Sequence, residues 1–278
     1  MKKIGFIDYY ISEWHANNYP IWIREACEKF GLNYDISYVW AEKNVSPMDG
    51  RTTDEWCKEF GVQKCDTIDD LCEKSDVILV LAPSDPQTHL RYAEKVLPFA
   101  KHTYIDKTFA PDFATSEKIF EIAAKHKTSF FSTSALRYAS ELEMLKNSDK
   151  LIVTGGGGNF EEYIIHQIEP TVKLLQAKAT EVCAESQGKQ TICRIEFEGE
   201  KQATLCYAET MPFTVCAERA GESRYAALGS DYFRALIADI LRFYETGETS
   251  FDVNETREVM RIRDALIRAK NSGKTIKL

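Results

Sequence analysis

The chain has 278 residues, of which 44 % are hydrophobic and 28 % are charged, and its formal net charge at pH 7 is -8. This composition is typical of a globular protein with enough chain for one large or two ordinary domains. The acidic balance, without any block of basic residues, argues against a nucleic-acid partner. The longest apolar run, Val77 to Ala82, is too short to cross a bilayer, and Asp8 interrupts the first apolar stretch before a signal-peptide core could form. We therefore expect a cytoplasmic protein with no membrane partner.

The cysteines give no sign of a metal site. There are eight of them, and no two form a C-x-x-C pair. Several lie in apolar or alternating runs, where a reduced thiol behaves as a small core side chain. We expect free thiols and no bound metal.

The first half of the chain alternates strands with helices. The predicted strands cover residues 3–8, 34–40, 76–82, 102–106 and 129–134, and the predicted helices 20–30, 53–60, 66–74, 89–100 and 115–126. Strands separated by helices of this length form successive right-handed βαβ units. The pattern predicts an α/β fold, with a Rossmann-like, doubly wound parallel sheet in a first domain of residues 1–134.

The second half changes character. A helical stretch at 140–147, a short strand at 151–155, four glycines at 155–158 and a helical segment at 159–177 come first. Five alternating runs separated by turn residues follow, and two long helices at 232–244 and 254–270 come near the end. Alternating runs indicate an antiparallel sheet with one apolar and one polar face. We predict an α+β domain with a mainly antiparallel sheet over residues 135–278.

The turn after the first strand lacks the glycines that a dinucleotide loop requires. In such a loop the glycines permit a tight turn, approach of the backbone to the pyrophosphate and close packing of helix on strand. Here Asp8 and Tyr10 stand at the first two of these places and Glu13 stands near the third. Two carboxylates would face a dianionic ligand, and each such pair at ~4 Å costs several kcal/mol even at an effective dielectric constant of about 20. We expect the fold to be retained and the phosphate cradle to be lost, with His15 serving the crevice through hydrogen bonds.

Three longer stretches carry a resemblance that spans nearly the whole chain. They are EFGV with DTIDDLCEKSDVILVLAPSDPQTHLRYAEKVLPFAKHTYIDKTFAPD, then GGGG with EYIIHQIE, and the closing FDVNETREVMRIRDALIRAKNSGKTIKL. Their order and spacing resemble those of the Gfo/Idh/MocA family of oxidoreductases. The resemblance implies an NAD(P)-dependent oxidoreductase for a sugar, a polyol or a related small metabolite. It also implies NAD or NADP as the cofactor, unless nicotinamide binding has been lost, and a homodimer or tetramer paired through the open face of the second sheet.

Lys107 matches the lysine of the family's Glu-Lys-Pro motif, which implies a catalytic role near the nicotinamide and the substrate oxygen. A cation at the carboxyl end of a parallel strand points into the crevice where such folds bind ligands, and there it could polarise an oxygen or relay a proton. The alternative is a solvated surface lysine. Asp106 and Thr108 replace the motif's Glu and Pro. Because a cis bond to Thr costs about 3 kcal/mol more than one to Pro, we expect an ordinary trans bond after Lys107.

His166 matches the family's catalytic histidine, and Glu162 and Glu169 lie four residues before and three after it, on one face of a helix. Such a histidine could act as an acid–base group. Two structural alternatives stay open. Asn159 and Glu162 fit a helix-capping pair, and Pro170 requires the helix to kink or restart beside His166.

The remaining candidates follow from position within the resemblance. Arg137 and Tyr138 stand where the family often has an arginine and an aromatic residue at the substrate pocket, the alternative being an inter-domain salt bridge. Glu42 stands where an acidic residue meets a ribose hydroxyl, which favours NAD over NADP. The full set of predicted cofactor-binding residues is Asp8, Tyr10, His15, Glu42, Pro83, Ser84 and Asp106.

Three functions remain open from the sequence. The first is the NAD(P)-dependent oxidoreductase. The second is a non-redox acid–base enzyme, such as a lyase or isomerase, that uses Lys107 and His166. The third is a non-catalytic protein that binds a metabolite. All three imply a small-molecule ligand.

Overall fold

The computed structural model describes residues 1–278, which separate into two compact units. The first unit consists of residues 1–132 and 236–251, and the second of residues 133–235 and 252–278. The segment 236–251 thus packs with the first unit although it follows the second-unit sheet in sequence.

The first unit contains a six-stranded parallel sheet. Its strands are β1 (Lys2–Tyr10), β2 (Tyr34–Lys43), β3 (Gln63–Lys64), β4 (Val77–Val80), β5 (Thr103–Ile105) and β6 (Phe130–Phe131), in the order β3-β2-β1-β4-β5-β6. The predicted doubly wound α/β sheet is confirmed; only the two-residue β3 was not predicted. The order reverses between β1 and β4, and this switch point is where open α/β sheets bind ligands.

Five helices connect these strands. They are α1 (Trp14–Phe30), α2 (Thr53–Phe60), α3 (Ile68–Lys74), α4 (His89–Val96) and α5 (Phe113–His126). The helix α2 has the predicted bounds, because Thr52 and Glu55 form a capping box at its start and Gly61 takes a left-handed conformation at its end. The helix α1 begins at Trp14 rather than at the predicted Pro20, because Glu13 caps it there and Pro20 is accommodated inside it.

The core of the first unit lies on both faces of the central strands. All four residues of β4 are buried, as the continuous apolar run predicts. Tyr244, in the helix α8 (Tyr232–Thr246), donates a hydrogen bond from its hydroxyl to the carbonyl oxygen of Ile78 in β4 at 2.7 Å, and its ring lies 6.1 Å from that of Tyr34. These contacts explain why segment 236–251 belongs to the first unit.

The second unit contains a seven-stranded mixed sheet. Its strands are β7 (Lys150–Gly155), β8 (Ala179–Gln187), β9 (Gln190–Phe197), β10 (Gln202–Tyr207), β11 (Thr214–Arg219), β12 (Glu222–Ala227) and β13 (Ile276–Lys277), in the order β12-β11-β7-β10-β9-β8-β13. The strands β7 and β10 pair in parallel and all other neighbours pair antiparallel. The predicted α+β unit with a mainly antiparallel sheet is confirmed.

One face of this sheet packs against helices α7 (Ile165–Leu175) and α9 (Asn254–Ser272), and the short α6 (Phe160–Tyr163) precedes α7. Burial alternates strictly along β9, as expected of a sheet with one covered face. The opposite face exposes Ile152, Ile192 and Tyr225.

The cysteines are all free, and Cys27, Cys57, Cys65, Cys72 and Cys193 are buried. No cluster of three or more His, Cys, Asp or Glu side chains is arranged to hold a metal ion. None of the helices combines the length and apolar character needed to cross a membrane.

Candidate functional site

The carboxyl ends of β1, β4 and β5 carry a buried polar cluster in the first unit. Asp8, in β1, is only 1 % exposed, and its Oδ1 accepts hydrogen bonds from the backbone N–H groups of Tyr9 at 2.7 Å and Ala82 at 3.0 Å. Its Oδ2 is buried without a hydrogen-bond partner. Burial, together with the nearby charge of Glu13, raises the pKa of Asp8 well above its ordinary value. The neutral acid is therefore favoured at this position.

The strand β1 extends further than the sequence predicts. Asp8 pairs with Ala41 and Tyr10 with Lys43 across the β1–β2 ladder. The predicted strand ends at Asp8, so the expectation that residues 9 and 10 belong to the turn is wrong, because the pairing of β1 with β2 continues through Tyr10. The Lys43 ammonium lies over the ring of Tyr9, 5.7 Å from the ring centre. The chain leaves the sheet only at Ile11, after the positions that the first glycines of a dinucleotide loop would occupy.

Glu13 caps the N-terminus of α1 with its carboxylate. Oε2 accepts from the backbone N–H of His15 at 2.8 Å, and Oε1 accepts from the backbone N–H of Ala16. The same Oε2 lies 3.0 Å from Nδ1 of the His15 ring. The carboxylate therefore satisfies donors that a helix N-terminus otherwise offers to an anion.

Asp106 lies at the end of β5 and is also only 1 % exposed. Its Oδ1 accepts from the backbone N–H of Lys107 at 2.9 Å and from the Tyr104 hydroxyl at 3.0 Å. Its Oδ2 has no hydrogen-bond partner and lies 3.8 Å from Nε2 of His15. The buried Tyr19 hydroxyl also has no hydrogen-bond partner. Its pKa is raised well above the ordinary value, chiefly by burial and further by the charges of Asp106 and Glu13. Asp8, Glu13, His15, Tyr19 and Asp106 form what we call the acidic cluster.

Lys107 is 8 % exposed, so the alternative of a solvated surface lysine is wrong. The peptide bond between Lys107 and Thr108 is cis, so the expectation of a trans bond is wrong as well. Thr108 is fully buried. The lysine thus lies in the interior at the end of β5.

Glu42, at the end of β2, accepts hydrogen bonds from the Tyr92 hydroxyl at 2.8 Å and from Arg91, both on α4. Its carboxylate is thus engaged within the unit, which competes with the predicted ribose contact. Pro83 is buried and Ser84 is exposed in the loop after β4.

His89 connects the loop after β4 to the loop after β5 by hydrogen bonds. Its Nε2 lies 2.7 Å from the Leu81 carbonyl oxygen and its Nδ1 lies 3.0 Å from the Phe109 carbonyl oxygen. The ring is fully buried, and burial lowers its pKa. His89 therefore has a structural role in fixing the edge of the crevice.

The residues at the start of α1 do not fit the pyrophosphate of a nicotinamide dinucleotide. Residues 8–13 contain no glycine, β1 continues through Tyr10, and the carboxylate of Glu13 takes the amide groups that would bind a phosphate. The buried acid of Asp8 adjoins the same place. The backbone N–H groups of His15 and Ala16 already have an acceptor within the chain, which supports the predicted loss of the phosphate cradle; that loss stays a prediction.

In the second unit, His166 lies in the first turn of α7 and is half-buried. Its Nδ1 lies 2.7 Å from Oγ of Ser134, and that oxygen also accepts from the backbone N–H of Leu136 at 3.2 Å. The serine oxygen can accept the Nδ1 hydrogen or donate its own hydrogen to Nδ1, depending on the tautomer, and in either case the contact orients the ring. The rings of Tyr163 and Phe213 flank the imidazole at 5.6 and 5.8 Å.

Glu162 takes part in helix capping. The Asn159 Oδ1 accepts from the backbone N–H of Glu162 at 2.8 Å, and the Asn159 amide donates to Oε2 of Glu162 at 3.1 Å. The capping alternative is confirmed. The predicted restart beside His166 is also confirmed, because α6 ends at Tyr163 and α7 begins at Ile165, with Pro170 inside α7.

Glu169 and Arg137 form a buried ion pair. Oε1 of Glu169 accepts from Nη1 of Arg137 at 3.1 Å and from the Thr133 hydroxyl at 2.6 Å, and Arg137 also pairs with Glu255. Burial raises the pKa of Glu169, and the Arg137 charge partly opposes that shift. This arrangement gives both residues a structural function, and their predicted part in a substrate site stays a prediction. Tyr138 is half-buried at the end of the short 3-10 helix Ala135–Tyr138, which also contains Arg137.

The glycine turn before α6 packs against its own unit. A side chain at Gly156 would come within 2.3 Å of the Ala208 carbonyl oxygen, and the Gly157 N–H donates to the Glu209 carbonyl at 2.9 Å. Gly157 has a φ of 143°, which favours glycine. The turn therefore allows a close approach of backbone to backbone, and its glycines do not form an open anion nest.

Three residues that contact the candidate site residues or lie beside them are hard to identify from the sequence. Ser134 carries no motif, and only the turn before residues 135–138 brings it to His166. Tyr19 looks like one more core aromatic of α1. Glu13 stands near the place of a missing glycine, and glutamate is not one of the residues that usually cap a helix N-terminus.

Comparisons with known proteins agree with the fold. Residues 43–134 match the family model described as "Oxidoreductase family, NAD-binding Rossmann fold", which is the Gfo/Idh/MocA model. No curated protein matches the sequence significantly.

Among solved structures, the chain is similar to myo-inositol 2-dehydrogenase from Lactobacillus plantarum. The alignment covers 100 % of this chain and 99 % of that one, with a TM-score of 0.80 and 12 % identity. For scyllo-inositol dehydrogenase from Lactobacillus casei with bound NAD(H) and scyllo-inositol, the coverage is 99 % of this chain and 98 % of that one, with a TM-score of 0.77 and 13 % identity. For aldose-aldose oxidoreductase from Caulobacter crescentus, the coverage is 100 % of both chains, with a TM-score of 0.76 and 14 % identity. At these identities the likeness concerns the fold.

The match of residues 43–134 to the family model and the fold shared along the complete chain thus agree with the resemblance seen in the motifs: this part of the chain is similar to the Gfo/Idh/MocA oxidoreductases, and the complete chain has their fold.

Proposed function

We propose that the protein is an enzyme that acts on a sugar, a polyol or a related polyhydroxylated metabolite, with proton transfer by His166 at the centre of its chemistry. The observation that carries this proposal is the 2.7 Å hydrogen bond between Ser134 Oγ and His166 Nδ1, in a chain whose fold is that of inositol and aldose oxidoreductases. A half-buried imidazole held in one orientation is suited to general acid–base catalysis near neutral pH.

The acid–base step needs only groups of this chain. When Nδ1–H donates to Ser134 Oγ, the imidazole of His166 can take a proton from the carbon beside a substrate carbonyl group. It then returns the proton to a neighbouring atom of the substrate, which completes an isomerisation, or gives it to a departing hydroxyl group that leaves as water, which completes an elimination; neither route consumes an oxidant. This chemistry is that of a lyase or isomerase. The catalytic role of Lys107 is a separate prediction within the first unit: the lysine is buried at the end of β5, and an ammonium group out of bulk water is suited to polarising an oxygen of a bound ligand.

A second candidate is an NAD(P)-dependent oxidoreductase for the same substrate class. It is favoured by the match of residues 43–134 to an NAD-binding family and by the NAD(H)-bound inositol dehydrogenase of the same fold. The residues at the start of α1 count against it. If a cofactor binds, Glu42 favours NAD over NADP.

A substrate screen separates the candidates. The purified protein is incubated with a library of sugars, inositols and sugar acids, once alone and once with NAD or NADP, and the products are followed by mass spectrometry and by absorbance of the reduced cofactor. Conversion without added cofactor supports the first candidate, and conversion only with NAD or NADP supports the second.

His166→Gln is the test variant, with His126→Gln on the solvent-facing part of α5 as the matched control. Loss of conversion in the first variant alone supports the role of His166. Equal conversion by both variants and the wild type would contradict it. Binding of a library compound without conversion under any condition would instead identify the non-catalytic metabolite-binding protein.

A further inference from the structure

The N-terminus of a helix binds anions because its first N–H groups lack partners within the helix and the helix dipole favours negative charge there. In α1 the carboxylate of Glu13 accepts from two of the first N–H groups, those of His15 at 2.8 Å and of Ala16. The next N–H, that of Asn17, already donates to the Glu13 carbonyl at 2.9 Å. The anion site is therefore occupied by an anion of the chain itself.

The occupant is held from several sides. Glu13 is 8 % exposed, and its Oε2 also contacts Nδ1 of His15 at 3.0 Å. The preceding residue, Ser12, donates from its hydroxyl to Asp49 at 2.7 Å, and its carbonyl oxygen accepts from the Ser46 hydroxyl at 2.7 Å. The loop that follows β2 thereby holds the segment before α1 in place by hydrogen bonds. These contacts oppose a movement of the Glu13 carboxylate away from the start of α1.

A second acidic side chain, that of Asp8, lies near Glu13. Asp8 has an Oδ2 atom that is fully buried and has no partner, and it is close enough to Glu13 to respond to its charge. A pyrophosphate placed at the start of α1 would have to displace one carboxylate and lie beside another acid. The paired strand through Tyr10 also puts side chains where a glycine loop exposes backbone.

We infer that Glu13 is a built-in substitute for the phosphate of a nucleotide, so that the anion site of α1 is closed to nicotinamide dinucleotides and to free pyrophosphate, and that removing this one carboxylate opens the site to anions. This inference is independent of the chemistry proposed for His166, because it concerns only which ligands the start of α1 admits.

The test uses the full chain and Glu13→Ser. Serine retains a good N-cap for α1 but carries no charge. Glu28→Gln is the matched control, because it removes a negative charge from an exposed position of the same helix. Binding of inorganic pyrophosphate and of NADH is measured by isothermal titration calorimetry, and far-ultraviolet circular dichroism confirms that each variant retains its helical content.

We expect the wild type and Glu28→Gln to bind neither probe at millimolar concentration. Glu13→Ser should bind pyrophosphate at least about tenfold more tightly than the wild type, because a negative charge is removed and one of the two N–H groups that Glu13 engages becomes available for a charge-assisted hydrogen bond. Micromolar binding of NADH by the wild type would overturn the inference, and so would a folded Glu13→Ser variant with no gain in pyrophosphate binding. Neither result depends on whether a substrate is ever turned over, so a failure here is distinct from a failure of the proposed function.

If Glu13→Ser does not fold, Glu13→Gln provides the second variant. It keeps the size of the side chain and one acceptor oxygen while removing the charge. The expected result is again a gain in pyrophosphate affinity over Glu28→Gln, and no gain would again overturn the inference.

Discussion

Glu13 and His15 are joined twice: Oε2 of Glu13 accepts from the backbone N–H of His15 at 2.8 Å and lies 3.0 Å from Nδ1 of its ring. One carboxylate thus caps α1 and orients an imidazole whose other nitrogen faces Asp106 at 3.8 Å. The place that binds a cofactor phosphate in related folds is here part of the protein's own hydrogen-bonding network.

Glu13→Ala should lower the free energy of unfolding by about 1 to 2 kcal/mol, because α1 loses its N-cap and His15 loses a partner. Glu13→Ser, which keeps a capping oxygen, should lose less. Urea denaturation followed by circular dichroism measures both. Glu28→Ala, at an exposed position of the same helix, should stay within about 0.5 kcal/mol of the wild type. An equal loss in Glu28→Ala and Glu13→Ala would show that the cap contributes nothing.

Asp8→Asn should change how stability depends on pH. Burial, followed by the charge of Glu13, raises the pKa of Asp8 well above its ordinary value of 3.8. The folded protein therefore keeps a proton that the unfolded chain has released, and this contribution to stability is lost as the pH rises from about 4 through the raised pKa. Asparagine cannot ionise, so the variant should gain stability over the wild type as the pH increases.

Urea denaturation of Asp8→Asn and the wild type between about pH 4 and pH 8 measures the difference, within the range where such a group titrates. Asp66→Asn, at an exposed position, is the control and should follow the wild type at every pH. A constant offset between Asp8→Asn and the wild type across this range would contradict a raised pKa for Asp8.

Arg137→Met should destabilise the protein by about 3 to 5 kcal/mol, because it leaves the buried Glu169 without its cation. Glu169→Leu alone should also destabilise. The double variant should lose less than the sum of the two single losses, since no unpaired charge remains in the interior. Chemical denaturation of all three variants provides the double-mutant cycle, and strict additivity would show that the ion pair is not coupled.

Ser134→Ala should reduce turnover of the substrate found in the library by about tenfold, and His166→Gln by about a hundredfold or more, because the histidine variant loses proton transfer and the serine variant only misaligns it. The pH–rate profile of Ser134→Ala should shift relative to the wild type, since Nδ1 of His166 loses a hydrogen-bond partner. Ser140→Ala, just after the 3-10 helix Ala135–Tyr138 that Ser134 precedes, is the control. An unshifted profile and unchanged rate in Ser134→Ala would remove the serine from the mechanism.

The exposed face of the second sheet should form a homo-oligomer interface. Ile152, Ile192 and Tyr225 are 51 %, 48 % and 61 % exposed there, and paired strands bring their side chains to one face. Ile192→Asp should reduce the mass measured by analytical ultracentrifugation to that of a monomer. Ile21→Asp, on the exposed side of α1, should leave the mass unchanged. A wild type that is already monomeric at micromolar concentration would contradict the predicted interface.

The sequence was a good guide wherever local chemistry decides the structure. The apolar run that contains β4 is typical of a strand buried on both faces, and the helix predicted at 53–60 has the bounds of α2. It was a poor guide where pairing decides. Residues 9 and 10 look like a turn in isolation, yet the pairing of Tyr10 with Lys43 makes them part of the strand.

The candidate site divides in the same way. His166 and Lys107 could be selected from motifs, and so could the capping role of Asn159 and Glu162. The partners of Arg137 could not, because Glu169 and Glu255 lie far from it in sequence and meet it only through the fold. The same holds for Ser134, whose hydroxyl gains meaning only beside the imidazole.

By itself, the sequence determined the two-part architecture and the absence of a glycine loop, because periodicity and residue type are local properties. Only the tertiary structure decided what replaces the missing loop. A carboxylate at position 13 becomes a phosphate substitute because the fold seats it on the free amides of a helix, and that placement depends on how β1, β2 and α1 pack around it.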